Sequence, residues 1–454
     1  MRKIIAPLLA LAPAAALAAT PGQVDSGDTA IVLVSAGLVL LMTPGLAFFY
    51  GGLVRAKNVV HTMILSLVCM ALVGVLWALF SYSLAFSPGP GALDAVIGGF
   101  SYVGLRGVGA EVAKDLAPTV PHAAFMLFQA MFAIITPALI SGAIVERVRV
   151  KAFVLFVAGW SVLVYTPVAH WVWAPNGWLH KLGALDFAGG TVVHINAAAA
   201  ALVFAIVLGK RVGLKNPTVL PHNVPFAILG AGLLWFGWLG FNGGSALAAN
   251  GLAAYAFANT FFAPAAAALA WGLAELFFFH GKMSGVGLAS GAVAGMVAIT
   301  PAAGFVTPMS AILLGALAGG VCLLAVRYRP RLGLDDSLDV VAVHGVAATM
   351  GAILTGLLAT KTVNPDGADG SLALMGVQAL GVAATWVFSG ALSFGILKVV
   401  SLVTALRADG EDEWGGMDLA EAGERAYITA DLESGSPQRS VPVAATSPLQ
   451  PAAA

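Results

Sequence analysis

The chain alternates between long uncharged apolar stretches and short connections that carry most of its charges and turn residues. A stretch of about 20 apolar residues is long enough to cross a ~30 Å hydrocarbon core as a helix. Turn residues divide the two longest uncharged blocks, at 242–245 and at 300–304. The pattern predicts eleven membrane-spanning helices, at 29–50, 58–83, 121–144, 152–174, 189–209, 222–243, 252–279, 285–303, 307–327, 338–359 and 372–400.

The charges between these helices predict their orientation. Residues 1–19 combine Arg2 and Lys3, an apolar run and small residues at its end, which is typical of a cleaved signal peptide and places the mature N-terminus outside. Lys and Arg concentrate on the cytoplasmic side of membrane proteins. Twelve of them lie in the predicted inner connections and four in the outer ones. We therefore expect a multi-pass protein of the cell's inner membrane with a cytoplasmic C-terminus.

Composition agrees with this class and argues against others. Of the 454 residues, 59% are hydrophobic and 10% are charged, and the formal net charge is zero. Such a balance gives no sign of nucleic-acid binding. No phosphate-binding glycine loop, Cys/His metal spacing or nucleophile elbow occurs, so we expect neither an enzyme nor a cofactor.

The domain organisation follows from the same pattern. We predict a signal peptide at 1–19, a transmembrane domain at 20–406 and a polar cytoplasmic tail at 407–454, which is acidic at 411–413. Small residues let helix backbones approach closely in lipid. The glycines at 291 and 295, and those at 315 and 319, are therefore predicted to serve helix packing.

Two histidines carry the most informative pattern, because each follows an aspartate by eight residues: Asp186 and His194, then Asp336 and His344. At about 1.5 Å per helical residue, each imidazole lies roughly 12 Å beyond its own helix start, near the middle of the membrane. Titratable side chains are costly there and are functional candidates by default. We therefore expect the two rings to meet at the midplane.

The two Asp–His units fall on the fifth and tenth predicted helices. Five helices followed by five run in opposite senses through the membrane, which is the arithmetic of an inverted repeat. The string FFYGG at 48–52 resembles GFNGG at 240–244 at corresponding points of the two halves. The expected fold class is an all-α integral membrane protein with an inverted 5+5 repeat and one added helix.

Three strings together resemble the ammonium transporter (Amt/Rh) family, in its bacterial Amt form. They are DFAGGTVVHIN at 186–196, AGMVAITPAAG at 294–304 and DDSLD at 335–339. The resemblance implies a homotrimer with one narrow pore in each subunit, and a role in nitrogen utilisation. It also implies that His194 and His344 are the twin histidines of that pore.

The resemblance carries further residues over by motif. Phe132 and Phe241 match the stacked rings that gate the outer mouth. Phe128, Trp173, Ser245 and Asp186 match the region that recruits ammonium outside. Other roles stay open: the aromatic residues at 128 and 132 have the spacing of simple helix packing, and Asp186 is well placed to cap the helix that follows it.

Charged residues near the inner ends of the helices have a structural interpretation. Asp335, Asp336 and Asp339 lie close in sequence to the arginines at 327, 329 and 331, which predicts a cytoplasmic ion-pair cluster. The tail string GMDLAEAGERAY at 416–427 resembles the family's cytoplasmic terminus, and this implies docking of a PII-type signalling protein. Ala422 departs from the family, which commonly has histidine at that position.

The expected function is transport of ammonium or ammonia across the lipid bilayer. A bare cation in a low-dielectric passage faces a penalty of tens of kcal/mol. Removing the proton of an amine with a pKa of about 10.4 at pH 7 costs only about 4–5 kcal/mol. Deprotonation is therefore the cheaper route: we expect the cation to be recruited outside and to pass the aromatic constriction, after which neutral ammonia moves along an apolar pore past the histidine pair. Two alternatives remain: an ammonium sensor that signals through its tail, and an Rh-like channel for neutral gas.

Overall fold

The computed structural model describes residues 22–214, 220–279 and 281–427. The predicted signal peptide at 1–19 and the tail beyond residue 427 lie outside the described residues. The boundaries predicted at 19/20 and 406/407 stay predictions.

Helices occupy each of the stretches that the sequence pattern predicted to span the membrane. Their bounds are α1 Ser26–Leu53, α2 Ala56–Phe86, α3 His122–Ser141, α4 Val150–Lys181, α5 Gly190–Leu208, α6 Val224–Ala246, α7 Gly251–Phe279, α8 Gly285–Ile299, α9 Pro308–Leu332, α10 Val341–Leu358 and α11 Leu372–Ser401. Within the described ranges, ten of these, all except α8, are long and apolar enough to cross a membrane.

The chain is an all-α integral membrane protein. Helices suit this environment because they satisfy every backbone polar group internally where no water is present. Helix α8 ends at Ile299, four residues before its predicted end, because the Thr300–Pro301 segment turns and the Ala302 N–H bonds to the Ile299 carbonyl at 2.9 Å. The count of eleven spans, the inverted repeat and the orientation of the termini stay predictions.

Glycines allow the closest helix contacts, as the sequence predicted. A β-carbon added at Gly315 on α9 would lie 2.0 Å from the Ala263 carbonyl oxygen of α7. One added at Gly319 would lie 2.2 Å from the carbonyl oxygen of Ala267. Only a residue without a side chain fits at such distances, so these positions fix how tightly α7 and α9 pack.

Short elements cover the connections. The strands β1, Val112–Ala113, and β2, Ala117–Pro121, form an antiparallel pair on the predicted outer side. After α11 the tail forms the short helix α12, Gly410–Gly415, and a turn at Asp418–Ala422.

The tail folds back onto the predicted cytoplasmic ends of the spans. The Asp418 carboxylate accepts a hydrogen bond from the His61 N–H near the start of α2, at 2.8 Å. The Glu421 carboxylate accepts one from the Val150 N–H at the start of α4, also at 2.8 Å. A carboxylate at a helix N-terminus satisfies free donors and complements the helix dipole. The described part of the tail therefore packs against the helix ends on the predicted cytoplasmic side.

Candidate functional site

The two predicted pore histidines meet in the centre of the helix bundle. Their Nδ1 atoms are 3.3 Å apart, and the ring centroids of His194 and His344 are 5.3 Å apart with an angle of 22° between the planes. Both side chains are buried, at 1% and 3% exposure. The Nε2 atom of His194 has no hydrogen-bond partner among the described residues. A buried polar atom of this kind is available to a molecule in the adjacent cavity.

Matching local structure places both rings. His194 and His344 each lie in a π-helical turn, at Gly190–Ile195 and at Val341–Val346, and such turns are frequent at functional sites. The aspartate that precedes each turn bonds to its first backbone donors. The Asp336 carboxylate accepts the Val341 N–H at 2.7 Å. The two Asp–His units therefore have the same design on α5 and α10.

Asp186 accepts more backbone hydrogen bonds than Asp336, the matching aspartate before α10. Its two carboxylate oxygens accept four backbone N–H groups, from Gly189, Gly190, Thr191 and Val192, at 2.6–3.1 Å. Burial raises the pKa of Asp186 to about 6, while these four hydrogen bonds act in the opposite direction. Both oxygens are thus engaged in capping α5, which is the geometry that the capping interpretation predicted.

Trp238 is part of the site, although we did not predict it from the sequence. Its ring stacks on His194 with centroids 5.3 Å apart and an angle of 20°. Its indole N–H donates to the Thr300 hydroxyl at 2.9 Å, and that hydroxyl donates to the Met296 carbonyl at 2.7 Å. The signal was present in the sequence, because Trp238 lies three residues before Phe241 and therefore on the same helix face.

The cavity at the histidines is small and largely apolar. It holds about 10 Å³, close to the room that one water-sized molecule needs. The residues that line it are Met42, Leu46, Ile135, Leu139, His194, Leu234, Trp238, Phe241, Val293 and His344. The indole N–H of Trp238 is taken up by Thr300, so the two imidazoles are the polar groups beside an otherwise apolar wall. Such a passage favours a neutral molecule that can form hydrogen bonds.

Two phenylalanines pack against each other next to the histidines, at the positions predicted for the outer gate. The ring centroids of Phe132 and Phe241 are 4.3 Å apart, and both side chains are buried. Phe241 also stacks on His194, with centroids 6.0 Å apart. Phe128 is fully buried with its ring edge-on to Phe132, at 4.9 Å, so the structure places it behind the gate.

The remaining residues predicted for recruitment adjoin this gate. The Trp173 ring stands edge-on to Phe132 at 5.7 Å, and its indole N–H donates to the Asp186 carbonyl at 3.0 Å. The Ser245 hydroxyl donates to the Phe241 carbonyl at 2.8 Å. Because that hydroxyl is used as a donor, its oxygen lone pairs face other partners as acceptors. Trp173 and Ser245 are both half-buried.

On the other side of the pair, His344 opens onto a vestibule of about 680 Å³. Asp339 lines it and forms an ion pair with Arg329 at 2.6 Å. Burial raises the pKa of Asp339 to about 7, against the opposing effect of the Arg329 charge. The vestibule therefore contains a carboxylate with a raised pKa beside the inner end of the passage.

A buried ion-pair cluster borders the same vestibule, with partners that differ from those the sequence predicted. Asp335 pairs with Arg211 at 2.8 Å and with Arg147 at 3.7 Å, and Glu146 pairs with Arg211 at 2.7 Å. Burial alone would raise the pKa of Glu146, but Arg211 and Arg55 outweigh it and hold that pKa below its ordinary value. Of the three arginines predicted as partners, Arg329 is the one that forms an ion pair within the described part of the chain, with Asp339.

The described residues contain no group of three or more His, Cys, Asp or Glu side chains placed to hold a metal ion. The fold and the site together define a polytopic membrane protein in which a small apolar cavity at two paired histidines lies between packed phenylalanines and a polar vestibule.

Comparison with known proteins shows which family of membrane proteins this chain belongs to. A family model described as the Ammonium Transporter Family matches residues 30–427. The ammonium transporter of Bacillus subtilis is 50% identical over 407 residues, which cover 88% of this chain and 98% of that protein. The chain therefore belongs to the ammonium transporter family, and this membership supports ammonium transport as its activity.

Solved structures share the fold. The crystal structure of Saccharomyces cerevisiae Mep2 has a TM-score of 0.80 and 35% identity, and the match covers 86% of this chain and 89% of that one. A structure described as a sensor Amt protein also has a TM-score of 0.80, with 29% identity and coverage of 87% and 98%.

Proposed function

We propose that ammonium is recruited at the outer mouth, passes the aromatic constriction and is then deprotonated, so that ammonia crosses past the paired histidines. The unpartnered Nε2 of His194 is available to accept the proton. The contact between the Nδ1 atoms of His194 and His344, inside an otherwise apolar cavity with room for about one water-sized molecule, carries this proposal. A neutral molecule such as ammonia enters this apolar cavity at a low free-energy cost, whereas an intact cation would lose its hydration without a compensating charge.

Recruitment needs only modest attraction outside the gate. The face of an aromatic ring such as Trp173 contributes about 0.5–2 kcal/mol to binding a partly desolvated cation. The Ser245 oxygen, whose hydrogen is already donated to Phe241, accepts one N–H of the ammonium ion. Asp186 supports the recruitment region without contacting the ion. Its carboxylate caps the start of α5, and its backbone carbonyl accepts the indole N–H of Trp173 and so orients that ring.

The histidine pair provides one donor and one acceptor along the path. A hydrogen bond between two Nδ1 atoms requires that one ring carries its hydrogen on Nδ1 and the other on Nε2. The first ring then presents a bare Nε2 and the second an Nε2–H. Ammonia can therefore donate to one ring and accept from the other, which replaces two of the hydrogen bonds it had in water.

Voltage-clamped measurements on proteoliposomes with ammonium and methylammonium gradients test this proposal. We expect His194→Ala and His344→Ala to change substrate flux, or selectivity over potassium, while His180→Ala, an exposed outer histidine, stays as wild type. Unchanged flux together with unchanged selectivity in both pore variants would contradict a conducting role for the pair.

The assembly and location of the protein form part of the same proposal. We propose a homotrimer in the cell's inner membrane, with the N-terminus outside after removal of residues 1–19, that serves nitrogen utilisation without enzymatic catalysis. The family membership supports this assembly. Native mass spectrometry of the purified protein tests the trimer, and N-terminal sequencing tests signal removal.

Partner control through the tail is a separate element of the proposal. The tail lies against the starts of α2 and α4, so a PII-type protein that binds it also contacts the inner mouth of the pore. Pull-down with and without the residues after Arg407 tests this docking site. Binding retained by the truncated chain would remove the tail from the proposal.

The sensor alternative has one specific observation in its favour, the structural similarity to the sensor Amt protein. Transport is preferred because the Bacillus subtilis ammonium transporter shares more identity with this chain. A neutral-gas channel is disfavoured because Trp173 and Ser245 supply an outer cation site.

A further inference from the structure

Asn196 lies two residues after His194 on α5 and completes the π-helical turn that carries this histidine. In an α-helix, the Val192 carbonyl accepts the backbone N–H four residues later, which is that of Asn196. Here the Asn196 N–H goes to the carbonyls of Thr191 and Val193 instead, and the bond to the carbonyl five residues back defines a π-helix. The Nδ2 atom of the Asn196 side chain donates to the Val192 carbonyl at 3.1 Å, so it replaces the diverted donor.

The surroundings of Asn196 show that the fold uses the donor half of its amide. The side chain is buried, at 0% exposure, and its Oδ1 atom has no hydrogen-bond partner among the described residues. A buried acceptor without a partner costs free energy, so this position needs the N–H and not the oxygen. A second tie lies beside it, because the Ser389 hydroxyl of α11 donates to the Asn196 backbone carbonyl at 2.8 Å. The turn of His194 is therefore held both from within α5 and from α11.

The matching turn around His344 is tied less firmly. Val346 lies two residues after His344, at the position that Asn196 has on α5, and its side chain cannot donate a hydrogen bond. At the start of this turn, Asp336 uses one carboxylate oxygen for a backbone donor, and its Oδ1 atom has no partner in the described part of the chain. The corresponding aspartate before α5 uses both oxygens. The two halves thus share a design but differ in how firmly each ring is fixed.

We infer that Asn196 is a positioning residue that locks the π-turn of His194, so that His194 is the fixed ring of the pair and His344 the adjustable one. If the Val192 carbonyl recovered the backbone N–H of Asn196, the turn would return to α-helical register. The ring would then rotate by as much as about 100° around the helix axis, because an α-helix has 3.6 residues per turn. The stacked contact between the rings does not survive such a rotation.

This division gives the two rings different tasks. His194 stacks on Trp238 and Phe241, with centroids 5.3 and 6.0 Å away, so fixing it also fixes the aromatic wall of the small cavity. His344 borders both that cavity and the vestibule. Movement of His344 therefore connects the two spaces while His194 keeps its stacking. The inference rests on the proposed function for its effect on transport, whereas the contact between the rings is measured by itself.

A matched pair of substitutions isolates the single hydrogen bond. Asn196→Thr and Asn196→Val introduce side chains of nearly the same shape, and only threonine has a hydroxyl donor. A threonine hydroxyl donates to the carbonyl four residues back elsewhere in this fold, from Thr136 to Phe132 at 2.6 Å. Thr355→Val on α10 is the control, because it removes a buried bond of this kind, to the Gly351 carbonyl at 2.8 Å, from an ordinary helical turn.

Solid-state NMR of the full chain in lipid bilayers, with ¹⁵N-labelled histidine, measures the contact between the rings independently of transport. The Nδ1 atoms of His194 and His344 are 3.3 Å apart and should give a ¹⁵N–¹⁵N cross-peak in the wild type. The cross-peak should persist in Asn196→Thr and in Thr355→Val, and it should disappear in Asn196→Val. A cross-peak that is absent from the wild type, that persists in Asn196→Val, or that is lost in Asn196→Thr or in the control would overturn the inference.

Methylammonium flux and selectivity over potassium, per folded protein, give the second readout. Because Asn196 acts through His194, Asn196→Val should reproduce the flux and the selectivity of His194→Ala, and the double variant should match both single variants. Asn196→Thr should restore most of the wild-type behaviour. A loss that adds to that of His194→Ala would overturn the inference. If His194→Ala transports as wild type, the proposed function fails, and the cross-peak alone decides the role of Asn196.

The mobility of the two rings keeps the inference testable if Asn196→Val does not fold. Order parameters from ¹⁵N–¹H dipolar couplings of the unsubstituted protein should be higher for His194 than for His344. Rings of equal order, or a more ordered His344, would overturn the inference independently of any variant.

Discussion

Replacing Asp186 tests whether this carboxylate supports the pore or binds the ion. Asp186→Ala leaves four buried backbone donors without their acceptor. An unsatisfied buried donor costs about 1–3 kcal/mol, and the four are not independent because they share one carboxylate. We therefore expect a total loss of about 3–5 kcal/mol in unfolding free energy, which is large for a single substitution.

Asp186→Asn should cost about half as much, because its single oxygen can keep the bonds from Gly189 and Gly190. The amide group then faces the N–H groups of Thr191 and Val192, which leaves those two donors unsatisfied. Asp25→Asn is the matched control, since Asp25 caps α1 through one bond to the Asp28 N–H at 2.9 Å. Its loss should be close to zero, because the asparagine oxygen keeps that one bond and asparagine caps a helix about as well as aspartate.

Thermal unfolding in detergent and methylammonium uptake per folded protein give the two readouts. Capping predicts unfolding temperatures in the order wild type, Asp186→Asn, Asp186→Ala, with lowered transport capacity and little change in KM. Direct binding of the cation predicts the reverse: a stable protein with a raised KM. An Asp186→Asn variant that unfolds at the wild-type temperature but has a raised KM would refute the capping argument.

Three further predictions follow from the site. Phe132→Ala opens a gate whose rings are 4.3 Å apart, so selectivity over potassium should fall in voltage-clamped recordings; unchanged selectivity would contradict the gating role. Trp238→Phe keeps a ring against His194 but loses the bond to Thr300, whereas Trp238→Leu loses both contacts. Substrate flux should therefore be lower in Trp238→Phe than in the wild type, and lower still in Trp238→Leu. Equal flux in the two variants would count against a stacking role. Arg211→Leu leaves Glu146 without its closest cation, which should cost about 3–5 kcal/mol in thermal unfolding. The pKa of Glu146 is lowered in the folded protein, so its stabilising contribution is present above its ordinary pKa and is lost as the pH falls. Wild-type protein should therefore lose more stability in acid than Arg211→Leu. Equal losses would contradict the stabilising role of the Glu146–Arg211 ion pair.

Much of the fold could be predicted because lipid imposes simple rules on length and polarity. Apolar runs gave the positions of the helices, with ends displaced by a few residues where turns intervene. The spacing between aspartate and histidine was sufficient to predict that His194 and His344 meet, since helical rise fixes depth. The resemblance supplied the gate, and the structure brings Phe132 and Phe241 into contact.

Contacts between distant connections could not be predicted in the same way. Asp335 lies eight residues after Arg327, yet its partners Arg147 and Arg211 come from two other connections. Sequence proximity favoured the near arginines, whereas packing of the helix ends decided the pairing. The contacts of His170 with the Ala85 and Asp94 carbonyl oxygens could not be predicted either, because any residue would supply those carbonyls.

The volume at the centre of the bundle has a consequence for permeation by solvent. A chamber of about 10 Å³ admits a single occupant, so water and ammonia compete for one place instead of moving side by side. On the proposed route, osmotic water flow through this protein should therefore decline as ammonium saturates the outer mouth, because solute and solvent would pass this point one molecule at a time.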